Sequence, residues 1–225
     1  MDTGPGVRRC GDALGRIRVR SDVSAVVADA TNFPILGEPL PVELANTRYS
    51  HATGIIDFLE SPALIASWFA YAPAAAAAGL ALPRRITEAQ CEAIRAVRDV
   101  THSILSSVLA SGGTISSTDV TILNRFAARA SSRPQLAGDE AAGLRSTLVY
   151  TGSRFDVVVA QVAAECIAFF AGPGLTQVRR CAHPDCAMFF VQQHRTRRFC
   201  HESCAHRLRQ ARYYLASVRP TSAAS

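Results

Sequence analysis

Apolar residues recur at helical spacing through most of the chain. Ser61-Pro62 reads as a helix start, with Ser at the N-cap and Pro at the first position, and Leu64, Ile65, Trp68 and Phe69 follow as a stripe facing a core. Thr87-Glu88-Ala89-Gln90 predicts a capping box opening a helix to about Ala110, with Cys91, Ile94, Val97, Ile104, Leu105 and Val108 on one face. Gly112-Gly113 stops it. Ser117-Thr118-Asp119 caps the next helix, whose inward positions are Val120, Leu123, Phe126 and Ala127. Residues 153–171 predict a further long apolar helix, ended by Gly172-Pro173-Gly174.

Between these helices the pattern is weaker. Residues 131–152 are less regular and could supply a hairpin, with Leu144 and Leu148-Val149-Tyr150 as strand pieces. Residues 33–39 are turn-rich, and 40–47 read as a short strand or a first helical turn. Residues 1–30 show no period and are expected to form a poorly ordered leader, in which Cys10 is incidental. Residues 63–82 are twenty long without a charge and so meet the length rule for a membrane span. They are mostly alanine, with Pro73 near the middle, and predict a buried helix through Ala72 followed by an Ala-rich loop or a second short helix. No membrane association is expected.

Charge changes the picture at the C-terminal end. All 24 basic residues are arginine. With the excess of alanine this suggests a GC-rich bacterial genome, so the number of arginines carries little weight and their position carries more. Residues 1–177 hold 15 arginines against 16 acidic residues, whereas 178–220 hold nine against Asp185 and Glu202. A near-neutral domain followed by a basic segment is the pattern of a protein that meets a polyanion.

The same segment holds four of the seven cysteines, spaced Cys181-x4-Cys186-x13-Cys200-x3-Cys204. Two close pairs separated by about a dozen residues are a usual way to deliver four thiolates to tetrahedral zinc at ~2.3 Å. An odd cysteine total without a secretory apolar region speaks against a disulfide framework and for a reducing cytoplasm. Four thiolates close the site, so the zinc is expected to be structural. His183, His194, His201 and His206 are spare imidazoles. Pro184-Asp185 suits a tight knuckle, Met188–Val191 reads as a strand returning through Arg197-Arg198-Phe199, and a helix runs from about Ser203 to Ser217. Leu208, Ala211 and Leu215 on that helix should pack on Phe189 and Phe199.

The predicted fold is therefore mostly α (α+β): a helical domain over 31–174 with a few short strands, a treble-clef-like zinc finger over 175–219, and a tail at 220–225. About forty residues cannot bury enough apolar surface alone, so the finger should unfold on chelation while the larger domain survives. Arg195, Arg197, Arg198, Arg207, Arg209 and Arg212 are candidate nucleic-acid contacts, because a guanidinium fork suits phosphate oxygens and guanine edges. DNA is the favoured partner; RNA or an acidic protein surface are the alternatives. His51 and His102, with Asp57 and Asp99, fall in no catalytic spacing, so an enzyme is not expected.

The run Cys181…Cys186-Ala187-Met188-Phe189-Phe190…Arg197-Arg198-Phe199-Cys200…Cys204-Ala205-His206-Arg207 resembles the CGNR zinc finger. The region before it resembles the ABATE domain that accompanies that finger in bacterial proteins, through Leu44-Ala45-Asn46-Thr47, Asp57-Phe58-Leu59 and Trp68-Phe69. The resemblance implies a stress-linked transcriptional regulator, cytoplasmic and nucleoid-associated when bound. The finger would be its DNA-binding element, and the larger domain a sensor of an unknown small-molecule or protein signal, for which Asn46 and Thr47 are candidate ligand residues. The namesake Cys-Gly-Asn-Arg is here Cys204-Ala205-His206-Arg207.

Overall fold

The computed structural model describes residues 33–51, 54–139 and 143–218. The expected leader with Cys10, the tail at 220–225 and the packing of the Leu215 side chain lie outside the described residues.

A short helix, α1 (Leu40–Ala45), opens the fold and is buried along its whole length. It leads into a hairpin, β1 (Arg48–His51) paired antiparallel with β2 (Gly54–Asp57), which the sequence pattern did not signal. The uncharged stretch becomes two helices, α2 (Pro62–Tyr71) and α3 (Pro73–Ala77), divided where Pro73 lacks the amide needed to continue the first. The Ser61 side chain caps α2 by accepting from Leu64 N. Among the described residues no helix is long and apolar enough to cross a membrane.

The central element is α4 (Glu88–Leu109), opened by the complete Thr87–Gln90 capping box and closed before Gly112, which sits at φ 69°. Helices α1, α2, α5 (Ser117–Ala127) and α6 (Arg154–Ala171) pack around it. Trp68, Phe69, Ile94, Val97, Phe126, Phe155 and Val162 fill the core between them. Two details of α5 differ from expectation. Its N-cap is Ser116, one residue earlier than the predicted cap, and the start it sets leaves Val120 on the solvent side while Leu123 and Phe126 go inward.

Between α5 and α6 the chain forms a long ribbon, β3 (Ser131–Asp139) paired antiparallel with β4 (Gly143–Thr151). After α6 a single turn, α7 (Gly174–Gln177), leads to β5 (Val178–Arg180), β6 (Phe189–Val191) and the last helix, α8 (Glu202–Val218).

The partner of β6 corrects the sequence reading. Phe189–Val191 pairs with Val178–Arg180, not with 197–199, so the hairpin encloses the first cysteine pair rather than separating the two pairs. Residues 197–199 form no strand; Arg198 contributes its carbonyl to the Ala182 amide. The strands pack back on the helical domain, β6 against α1 and β5 against α4. Val178, Phe189 and Val191 share a buried cluster with Val42, Ala45 and Leu105. Phe189 thus lies against α1 and α4, and Ala211, expected to cover it from α8, is exposed. Burying a phenylalanine in this way contributes about 2–3 kcal/mol.

Candidate metal centre and basic surface

Cys181 and Cys186 flank the turn of the β5–β6 hairpin, where Cys181 N donates to Met188 O and Cys186 N to His183 O. Cys200 precedes α8 and Cys204 lies in its first turn. The four Sγ atoms converge within 4.8 Å of one another. The Cys186–Cys200 and Cys200–Cys204 Sγ separations are both 3.7 Å, against about 3.8 Å for the edge of a tetrahedron with zinc–sulfur bonds of ~2.3 Å. The geometry fits zinc with all four tetrahedral positions taken by sulfur.

The thiols perturb one another. Cys181 is drawn down to about 7, first by the thiol of Cys186 and then by that of Cys200. Cys204 is held far below the ordinary thiol range, first by Cys181 and then by Cys186 and Cys200, with Arg207 adding to the effect. The same crowding pushes Cys186 and Cys200 up, because neighbouring negative sulfurs oppose their ionisation. A divalent cation relieves that conflict by taking all four as thiolates. Cys166, deep in the helical core, is pushed up to about 12 by burial and behaves as an apolar side chain.

The spare imidazoles have other work. His183 is buried and its Nδ1 accepts from Asp185 N at 3.2 Å, bracing the knuckle. His201 Nδ1 accepts from Ser203 N at 3.2 Å, at the start of α8. His194 and His206 are exposed.

The six candidate arginines separate into two groups. Arg197 is turned inward: Nη2 reaches Glu38 Oε1 at 2.6 Å and Cys200 O at 2.9 Å, Nη1 reaches Val191 O at 3.1 Å, and Nε reaches Phe199 O at 3.3 Å. Its guanidinium also lies 4.7 Å from the Phe190 ring centroid. Arg207 is half-buried and donates from Nη2 to Cys204 Sγ at 3.2 Å. These two hold the metal centre together. Arg195, Arg198, Arg209 and Arg212 are exposed. Arg209 and Arg212 are one helical turn apart on α8, with Tyr213 beside them and 78% exposed.

The helical domain reaches into the finger at three points. The Asn46 side chain makes two hydrogen bonds with Phe189, accepting from its N at 2.9 Å and donating to its O at 3.0 Å. Glu38 Oε2 accepts from Val191 N at 2.9 Å. Two side chains therefore act as a neighbouring strand along the free edge of β6. Tyr49 OH donates to Asp185 O at 3.0 Å. Asn46 is thus engaged with the finger, and Thr47 Oγ1 donates to Leu44 O at 2.6 Å; both residues are buried. The contacts of Glu38, Asn46 and Tyr49 with the finger were not readable beforehand, because they span more than a hundred residues of chain.

On the opposite side of β1, Arg48, Asp57, Arg95, Arg98 and Asp99 line an open cleft of about 380 Å³. Arg98 is buried and forks onto Asp57, with Nη2 to Oδ2 at 2.9 Å, while its Nε reaches Asp99 at 2.9 Å. Burial works to raise the Asp57 carboxyl, but the Arg98 hydrogen bonds and charge outweigh it and hold it below the usual range.

The profile of the ABATE family, described as "Putative stress-induced transcription regulator", matches residues 38–173. The chain belongs to the ABATE family. The CGNR zinc finger matches residues 177–215, directly after it. Neither is an enzyme family, and no curated protein matches the chain. The ABATE domain thus supplies the helical body with Glu38, Asn46 and Tyr49, and the finger supplies the four thiols that fit zinc. The two departures from the finger's namesake fall in the first turn of α8, where Ala205 and His206 adopt ordinary helical structure that needs no glycine.

Proposed function

We propose that this ABATE protein is a DNA-binding transcription regulator whose zinc finger meets the duplex with α8 and the loop before it, and whose helical domain senses a signal. The observation that carries this reading is that the chain's excess positive charge lies within 178–220, where Arg195, Arg198, Arg209 and Arg212 all face solvent. Zinc has a structural part here: it fixes the start of α8 relative to the hairpin and so aims those arginines. The sensor reading draws on the continuity of residues 38–57. This one segment contributes Arg48, Ile55 and Asp57 to the cleft and Glu38, Asn46 and Tyr49 to the finger. A ligand that shifts the cleft would therefore bear on the edge of β6.

The test is binding of the zinc-loaded chain to a random-sequence DNA duplex, followed by fluorescence anisotropy over a series of salt concentrations. Affinity should fall steeply with salt, and Arg209→Ala with Arg212→Ala should weaken binding at least ~10-fold and reduce the salt slope by about two. Lack of duplex binding at about 50 mM salt, or binding indifferent to the double replacement, would sink the proposal. A clear preference for RNA of the same sequence would move the assignment to RNA.

A further inference from the structure

The β3–β4 ribbon has no part in the reading above, and its side chains are sorted in an unusual way. Residues opposite each other in an antiparallel pair share a face, and successive residues alternate between faces. The register Arg133↔Val149, Gln135↔Thr147 and Ala137↔Arg145 sets one face. Pro134↔Leu148, Leu136↔Ser146 and Gly138↔Leu144 set the other. Both arginines of the ribbon therefore stand on one side and its leucines on the other. Leu136, Leu144 and Leu148 are 69, 79 and 57% exposed. No described residue covers them. An isolated two-stranded ribbon is at best marginal in water, and this one leaves its apolar face wet for the length of the leucine stripe.

We propose that the ribbon is a self-association arm: two copies of the chain stack their leucine faces about a two-fold axis. Such a contact pairs apolar surface with apolar surface and keeps Arg133 and Arg145 of both copies on the outside, clear of like charge. A nucleic acid would instead be met by the arginine face and would leave the leucines in water. The size also suits a second copy. Nine residue pairs at about 3.4 Å each give a ribbon roughly 30 Å long. With two strands about 10 Å across, stacking on its twin removes on the order of 600 Å² from solvent in all, the scale of a weak, concentration-dependent contact. Pro134 has no amide hydrogen and breaks the row of donors along β3, which disfavours growth at that edge and leaves face-to-face stacking. The contact is isologous and closes at two copies.

Sedimentation velocity of the full-length, zinc-loaded chain over roughly 1–100 μM tests this by mass action. The wild type should become dimeric across that range. Leu144→Glu with Leu148→Glu should weaken self-association at least ~100-fold. Arg133→Glu with Arg145→Glu, on the opposite face of the same strands, should leave it unchanged. Circular dichroism and zinc content establish that each variant is folded; should the glutamate pair lose helix, Leu144→Ser with Leu148→Ser replaces it in the same assay. A wild type that stays monomeric throughout overturns the proposal and hands the leucine face to a different partner. So does a dimer that persists in a folded variant lacking both leucines, or one that the arginine pair abolishes.

Discussion

Arg197 shows how a residue read as a surface contact can be structural. Its guanidinium satisfies three carbonyl groups around the metal centre and the buried carboxylate of Glu38. Arg197→Ala would leave Glu38 as a buried charge without its cation, a change that costs about 3–5 kcal/mol. For a chain of this size the melting temperature should then fall by roughly 10 °C in a thermal scan, whereas replacing exposed Arg195 should shift it by no more than about 1–2 °C. Glu43 supplies a second residue-scale prediction. Its Oε1 accepts from Leu36 N and Glu38 N, its Oε2 is buried without a partner, and burial lifts the carboxyl to about 7. The folded chain thus holds this proton more tightly than the unfolded chain does. The contribution of Glu43 to stability is full below about pH 4.5 and declines as pH rises to about 7, by on the order of 3 kcal/mol. Glu43→Gln keeps the accepting oxygen and removes the titration. The difference between wild type and variant in urea midpoint should therefore grow from pH 5 to pH 8, with the variant gaining; comparing the two proteins cancels the contribution of the thiols.

Elements whose signals are local were legible in the sequence. Ser61 and Thr87 cap α2 and α4, and Pro73 divides the alanine-rich stretch, because each acts within four residues of chain. The cysteine spacing likewise declared the metal centre. The pairing of β6 was not legible: Val178–Arg180 and Arg197–Phe199 both offer short, arginine-bearing partners. The choice between them is made by packing of Val178 and Phe189 on α1 and α4, a tertiary fact. The β1–β2 hairpin was missed because its strands are four residues each and do not alternate cleanly. This pairing alters what metal removal should do. With β5 and β6 anchored on the helices, chelation is expected to release amide protection over Cys181–Cys204 and the first turn of α8, and to weaken it at Val191 and Phe189 only in part. Helices α4 and α6 should stay protected. Hydrogen exchange with and without a chelator reads this directly; uniform loss across all elements would mean that the metal holds the whole fold.

At the scale of the molecule, the ABATE domain and the finger share a boundary made of side chains rather than a flexible linker. If the edge contacts align the finger, Asn46→Ala should weaken duplex binding severalfold without removing any basic group. It leaves two buried backbone groups of Phe189 without partners, at about 2–4 kcal/mol. A binding curve identical to wild type, with the variant otherwise folded, would show that alignment of the finger does not matter to its target. Neighbouring residues of one segment serve both the open cleft beside β1, through Arg48, and the finger, through Asn46 and Tyr49. On the proposed sensor reading, a signal at the cleft would have a short, covalent path to the edge of β6.

The clamp formed by Glu38, Asn46 and Tyr49 also bears on how the chain comes to be folded. During synthesis these three residues leave the ribosome some 130 positions ahead of the hairpin they will hold. The helical body can therefore be complete when Phe189 emerges. Such a body would act as a mould: the strand would be laid against a waiting edge, its cysteines gathered at one end, and metal capture would then come as the last step of assembly instead of the first.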